Sequence, residues 1–193
     1  MGIEFTLPSF SFRIRTIWTL LGSILNPIYY AHMLRAIHYS AYSYVNEKKR
    51  LSLGKNTKMA PNVSLRNGSR IKIGDHCHIG DHCYIWAGDT SGEISLGNQV
   101  SLAPGVFITA SDYQFSSDIP FRNQPKREQN VKIGNDVWLG ARVIVTSGVS
   151  IGDGCIVGAG AVVTNHLPAG SIAVGVPARV INSRVNPKSK TIV

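Results

Sequence analysis

Two groups of residues in this 193-residue chain have the types that do chemistry. The first is the run His76, Cys77, His78, His82 and Cys83, which carries the imidazoles and thiols that zinc takes as ligands. An imidazole there is also a proton acceptor, because it titrates near neutral pH. The second is the polar stretch from Thr109 to Asn130, with Ser111, Asp112, Tyr113, Asp118, Arg122, Lys126 and Arg127. A carboxylate such as Asp112, with an ordinary pKa of about 4, is a weak base for a hydroxyl unless it is desolvated. What either group can do depends on the elements that hold it.

Those elements repeat every six residues. Ile133, Leu139, Val145, Ile151, Val157 and Val163 follow one another at that spacing, each followed by glycine or threonine. A helix repeats near 3.6 and a strand near two, so neither accounts for it. The pattern predicts an all-β fold, a parallel β-solenoid with one aliphatic side chain per short strand in a shared core. Three hexapeptides make one triangular coil of about 18 residues, stacked on the next at roughly 4.8 Å. The small residue after each aliphatic one is expected to make the corner turn. Five coils follow: Leu53, Met59, Leu65; Ile73, Ile79, Ile85; Leu96, Leu102, Ile108; Ile133, Leu139, Val145; and Ile151, Val157, Val163.

Two excursions interrupt the register. One lies around Asp89–Glu93, after Ile85, and the larger spans residues 109–130, after Ile108. Both start from the third side, so they should project from one edge of neighbouring coils, where a long polar loop is a natural place for function. The register also decides the His/Cys run. Cys77, Cys83 and Cys155 fall in the fifth place of their hexapeptides, a small buried slot, so neither a metal nor a disulfide framework is expected and a reducing compartment is. His82 lies in the coil below the large loop and is a candidate base there. His166, His32 and His38 are read as an exposed residue and two packing residues.

The net charge of +9 favours nucleotide phosphates, an anionic polysaccharide or an anionic membrane face as partners. No nucleic-acid motif is present, so nucleic acid is not expected. Residues 1–50 lack the repeat. The apolar run Ile17–Leu25 is too short to span a bilayer, and two amphipathic helices rich in Trp18, Tyr29, Tyr30, Tyr39, Tyr42 and Tyr44 are expected. They suit a cap on the first coil, hiding its open edge, or a monotopic contact with the inner membrane face, and the two are compatible. The chain thus reads as a helical segment over 1–50, a solenoid over 51–181 and a basic tail over 182–193, placed in the cytoplasm with an inner-membrane association.

The repeats, the single large loop, the segment Val131-Lys-Ile-Gly-Asn-Asp-Val-Trp-Leu-Gly140 and the ending Gly175-Val-Pro-Ala-Arg-Val-Ile181 resemble the hexapeptide acyltransferases. The resemblance is greatest to sugar and polysaccharide O-acetyltransferases of the maltose and galactoside type, over about residues 53–181. It implies a left-handed β-helix, a homotrimer with sites between subunits, a glycan or small-molecule acceptor and acetyl-CoA as donor. It places Ala141 and Ala159 on the pantetheine track, Thr164 and Asn165 near the CoA end, and Arg179 at the nucleotide phosphates. Asn165 stands where relatives carry lysine. Trp138 is placed near the acceptor cleft, with a packing anchor between subunits as the other reading of it, and Asp89 is placed at that cleft too.

The mechanism implied is direct acyl transfer, with a loop histidine taking the proton of the acceptor hydroxyl. Relatives carry that histidine where Ser111 or Tyr113 stands, and this chain has none between His82 and His166. Ser111, Asp112, Tyr113 and His82 are therefore the candidate catalytic positions. Three readings stay open: an O-acetyltransferase with an altered base, an N-acyltransferase on an amino-sugar nucleotide, and a CoA-binding solenoid without turnover.

Overall fold

The computed structural model describes residues 26–115 and 118–184, with Thr19, Gly22 and Ile24. Most of the apolar run Ile17–Leu25, and the tail after Arg184, lie outside the described residues. The chain is a left-handed parallel β-helix built from three sheets around one core. The first side holds Ser52–Leu53, Ile71–Ile73, Ile94–Leu96, Val131–Ile133 and Ser150–Ile151. The second holds Lys58–Met59, His78–Ile79, Ser101–Leu102, Trp138–Leu139, Ile156–Val157 and Ser171–Val174. The third holds Ser64–Arg66, Tyr84–Trp86, Phe107–Thr109, Ile144–Val145 and Val162–Val163.

The hexapeptide register becomes the stacking register. Ile73 pairs with Leu96, Leu96 with Ile133, and Ile133 with Ile151. On the third side Leu65, Ile85, Ile108, Val145 and Val163 form one column. Each is buried, because a strand residue pointing inward has the residue one coil above and below as its neighbours. The stack runs past Val163 into a partial sixth turn, in which Leu167 bridges to Ile151 and Ala173 pairs with Val157. Arg179–Ser183 then folds back antiparallel on Ser171–Val174 and covers that edge.

The corners differ from expectation in one respect. Left-handed backbone occurs two residues after the small residue, at Asn56, His76, His82, Gln99, Asp136 and Arg142 and at glycines such as Gly105 and Gly160. The glycine that follows the aliphatic residue has another reason to be small: a Cβ on Gly140 would lie 2.6 Å from the backbone nitrogen of Ala159 in the next coil. Close stacking of coils, rather than the turn, excludes a side chain there.

The cysteines follow the register. All three are free and buried, and their thiols point to carbonyls of the neighbouring coil, Cys77 to Gly97 at 3.2 Å and Cys83 to Ala103 at 3.3 Å. Burial pushes the Cys83 and Cys155 thiols up from their ordinary range, so they are inert packing groups.

Contacts divide the chain into two compact units, Met1–Ser40 and Ala41–Val193. In the first, the helix Pro27–Ser40 starts with the Asn26 side chain accepting from the N–H of Ile28 at 2.9 Å and buries none of its residues. In the second, the short helical turns Ala41–Val45 and Asn46–Arg50 pack on the first coil. The Glu47 carboxylate accepts from the N–H of Gly68 at 2.6 Å, and Tyr44 packs against the core. The helical segment over 1–50 is thus divided, with its Ala41–Arg50 part belonging to the coil. Among the described residues no helix is long and apolar enough to cross a membrane.

Candidate active site

Both excursions leave the third side at its far corner and meet there. The larger folds into a hairpin in which Ser111–Tyr113 pairs antiparallel with Lys126–Glu128. Its link to the smaller excursion is the Glu128 carboxylate. That group accepts from the N–H of Asp89 at 2.6 Å, of Thr90 at 3.0 Å, of Ser91 at 2.6 Å and of Gly92 at 3.2 Å, and from the Thr90 hydroxyl at 2.8 Å. Successive N–H groups converging on one anion form a nest. Partial burial works against ionisation of Glu128, but the donors of Ser91, Thr90 and Gly92 outweigh it and hold the carboxyl far below the usual carboxylate range.

A second tie lies beside it. Lys126 Nζ meets Asp89 Oδ2 at 2.6 Å, and Asn67 Nδ2 donates to Asp89 Oδ1 at 3.1 Å. The hydrogen bond from Lys126, then that from Asn67, lowers the Asp89 pKa, and the same contact raises that of Lys126. Lys126 also stands 5.7 Å from the centroid of Tyr113, whose ring packs edge-on against Phe121 at 5.2 Å.

These ties enclose a cavity of about 380 Å³ lined by residues of both excursions and of the third side. Asp89, Ser111, Asp112 and Tyr113, four of the candidate positions, come together in its wall. The Ser111 hydroxyl oxygen is buried and has no hydrogen-bond partner among the described residues, which leaves a polar group to be satisfied at the root of the loop. The opposite wall is aromatic. Trp86 packs edge-on against Phe107 at 5.1 Å, donates Nε1–H to the Ser64 hydroxyl at 3.1 Å and carries the Arg66 guanidinium 3.8 Å above its ring.

The remaining candidates lie elsewhere. Ala141 and Ala159 are exposed and stack at the corner between the second and third sides, where Gly160 N–H donates to the Ala141 carbonyl at 2.8 Å. Arg179 stands next to that corner, paired with Val174. Thr164 and Asn165 sit at the opposite end of the third side, on the corner of the excursions. The candidate CoA residues therefore occupy two corners of one chain. Trp138 projects from the second side, 53% exposed, and does not line the cavity with Asp89. His82 does not line it either. It is the left-handed residue at the second-to-third corner, held by Asn62 at 3.1 Å, in the column of Gly105, Arg142 and Gly160, one position on from Ala141 and Ala159 and nearer the N-terminal end. Its neighbours in the His/Cys run do not converge, since the thiols point inward while His76, His78 and His82 are exposed. Among the described residues no group of three potential ligands could hold a metal ion.

Arg66, Trp86 and Glu128 were not singled out by the sequence. A signal existed for two of them: Arg66 and Trp86 occupy the place after the aliphatic residue that glycine, alanine or threonine holds in other repeats. They pair in register at the corner where the excursions open the stack.

The comparisons with known proteins agree with this architecture. Residues 130–165 match the family model described as bacterial transferase hexapeptide (six repeats), and residues 70–110 that of the hexapeptide repeat of succinyl-transferase. The chain is 32% identical to the galactoside O-acetyltransferase of Escherichia coli (strain K12) over 97 residues, 50% of this chain but 47% of that enzyme, so it spans about half the length of this curated relative. Two solved structures are similar over more. A maltose O-acetyltransferase from Clostridium difficile 630 is 32% identical with a TM-score of 0.64, over 71% of this chain and 72% of that one. A hexapeptide-repeat-containing acetyltransferase from Vibrio cholerae O1 biovar eltor, solved with acetyl coenzyme A, is 26% identical with a TM-score of 0.66, over 74% and 76%. The chain belongs to the hexapeptide-repeat acetyltransferase family.

Proposed function

We propose that this protein transfers the acetyl group of acetyl-CoA to a hydroxyl of a sugar or polysaccharide. The observation that carries the reading is the pairing of a polar, latched cavity at one corner with a bare column of small residues at the next, on a coil of this family. A thin pantetheine arm can lie along Ala141 and Ala159, where a larger side chain would stand in its way. Arg179 beside that column suits the nucleotide phosphates, since a guanidinium fork matches phosphate oxygens.

Because the two corners of one chain are separated by the third side, the reading includes a homotrimer. The excursion corner of one subunit would face the Ala141–Ala159 corner of the next. The exposed outward residues Tyr84, Trp138 and Ile144 supply apolar surface for that contact. The acceptor hydroxyl would lose its proton to Asp112 from the loop, or to His82 from the facing corner, while main-chain N–H groups stabilise the oxyanion. The exposed helix Pro27–Ser40, with Ile28, Leu34 and Ile37 on its surface, suits a peripheral contact with the inner membrane face.

Thiol release from acetyl-CoA, followed across neutral sugar and amino-sugar acceptors, tests the reaction. Transfer to hydroxyls supports it, whereas transfer only to amines would make the protein an N-acyltransferase, and CoA binding without transfer a binding module. Asp112→Asn or His82→Ala should lower kcat by about 10² or more, whichever is the base. Ala159→Trp should abolish acetyl-CoA binding in calorimetry, and a monomer in solution scattering would remove the shared site.

A further inference from the structure

We propose that the acceptor carries an anionic group, a sugar carboxylate or phosphate ester, and that Arg66 binds it. The inference rests on the acetyl-transfer reading above and adds the chemical class of the acceptor. The Arg66 guanidinium carbon lies over the Trp86 ring, 3.8 Å from its centroid, and no hydrogen bond engages the guanidinium N–H donors among the described residues. Among the described residues it makes no ion pair.

The reason it has none is specific to this corner. Three carboxylates of this corner are engaged by other donors. Asp89 is held by Lys126 at 2.6 Å and by Asn67, Glu47 by the N–H of Gly68 at 2.6 Å, and Glu128 by its nest. Lys126 thereby neutralises Asp89, and Arg66 is left without an ion-pair partner among the described residues. The arginine is also held in place before any ligand arrives. Its platform, Trp86, is fixed by the Ser64 hydroxyl at 3.1 Å and by Phe107 at 5.1 Å, which gives the guanidinium a set place over the ring. A planar fork of that kind matches two oxygens of a carboxylate or phosphate.

The cavity has the complementary feature on its other wall. Asp112 lines it and makes no ion pair among the described residues, so it can take a hydroxyl proton while the anionic group sits on Arg66. The two groups would orient a sugar between them, with Trp86 and Phe107 offering apolar faces to the ring. The net charge of +9 would draw a polyanionic acceptor to the surface.

The test compares three acceptors that differ in one substituent: a neutral hexoside, the matching hexuronoside and the matching hexoside 6-phosphate. Initial rates of thiol release are measured with the full-length protein and its Arg66→Gln and Arg66→Lys variants. The expected result is a kcat/KM at least about tenfold higher for one anionic acceptor than for the neutral one, a charge-assisted contact being worth roughly 10- to 100-fold. That ratio should collapse in Arg66→Gln, persist in part in Arg66→Lys, and fall as salt is raised. The uronoside and phosphate arms identify which anion is preferred. A neutral hexoside that matches or beats both anionic acceptors with the unaltered protein overturns the proposal, whether or not the variants fold. So does a ratio unchanged in folded Arg66→Gln. Calorimetry of the anionic sugars without acetyl-CoA separates the two readings. Binding that Arg66→Gln weakens, with no transfer to any acceptor, upholds the anion site and removes the transferase reading; transfer without anion preference removes only the anion site.

Discussion

The coil and the excursion corner are held together in opposite ways. In the coil every contact is repeated: Gly74 N–H donates to Leu96, Gly97 N–H to Ile133 and Gly134 N–H to Ile151, and the same ladder recurs on the other two sides. At the excursion corner one carboxylate, Glu128, satisfies four consecutive backbone donors and has no copy. Repetition makes the coil tolerant of losing a hydrogen bond but intolerant of added volume, because coils sit at strand spacing. The corner is the reverse: it has room for a cavity and depends on single side chains.

The largest effect should come from adding volume to the coil. Gly140→Val places a side chain against the backbone nitrogen of Ala159, at 2.6 Å for the Cβ alone. Overpacking of this kind costs about 3 kcal/mol or more, read as a drop in the thermal midpoint or loss of folded protein. If the variant melts with the parent, coil spacing is not what excludes the side chain.

Next is the latch. Glu128→Ala should lower kcat/KM on the preferred acceptor by tenfold or more, because the hairpin carrying Asp112 and Tyr113 loses its tie to Asp89–Gly92. Its effect on stability should be smaller, about 1.5 kcal/mol, since the group is partly exposed and water can replace it. Glu128→Gln should recover part of the activity. A variant that melts far below the parent would place Glu128 with the coil rather than the site. The same carboxylate sets an acid limit. Its pKa is lowered on folding, so its contribution is complete above the ordinary Glu range of about 4 and is lost progressively as pH falls below it. Acid titration of Glu128→Ala should therefore show a shallower loss of stability below about pH 4 than the parent.

A buried cysteine tests the coil more gently. Cys83→Ala removes a small buried group and its contact with the Ala103 carbonyl, and should cost about 1 kcal/mol without changing kinetics. The smallest effect is at the surface. Lys72 and Glu93 meet at 3.2 Å with both side chains well exposed, and Lys72→Ala should change the midpoint by no more than about 0.5 kcal/mol. A larger shift would mean that the first side is held by charge as well as by its ladder.

The residues that could be read in advance were those whose neighbours are set by the repeat. Ile133 and Ile151, Leu139 and Val157, and Val145 and Val163 stack because a period of six brings each third repeat to the same place, a relation that local spacing contains. For the same reason the cysteines could be placed in the core, and both excursions at one corner. The glycine after each aliphatic residue was found in the right place but for another reason, since its neighbour is a backbone one coil away that a single hexapeptide does not display.

The site obeys no period, and there the tertiary structure decided. His82 and the loop belong to successive coils, but a side of the triangle separates them, so His82 stands at the corner of Ala141 and Ala159, next to their column, instead of in the cavity. Glu128 lies within the polar stretch 109–130 with no spacing to mark it, and the hairpin turns it onto the N–H groups of Asp89–Gly92. Arg66 and Trp86 are twenty residues apart in sequence and adjacent in register. The sequence by itself determined the coil, because its contacts repeat at one fixed interval. Only the folded chain decided which polar groups partner one another, because those partners meet across irregular insertions whose path no interval describes.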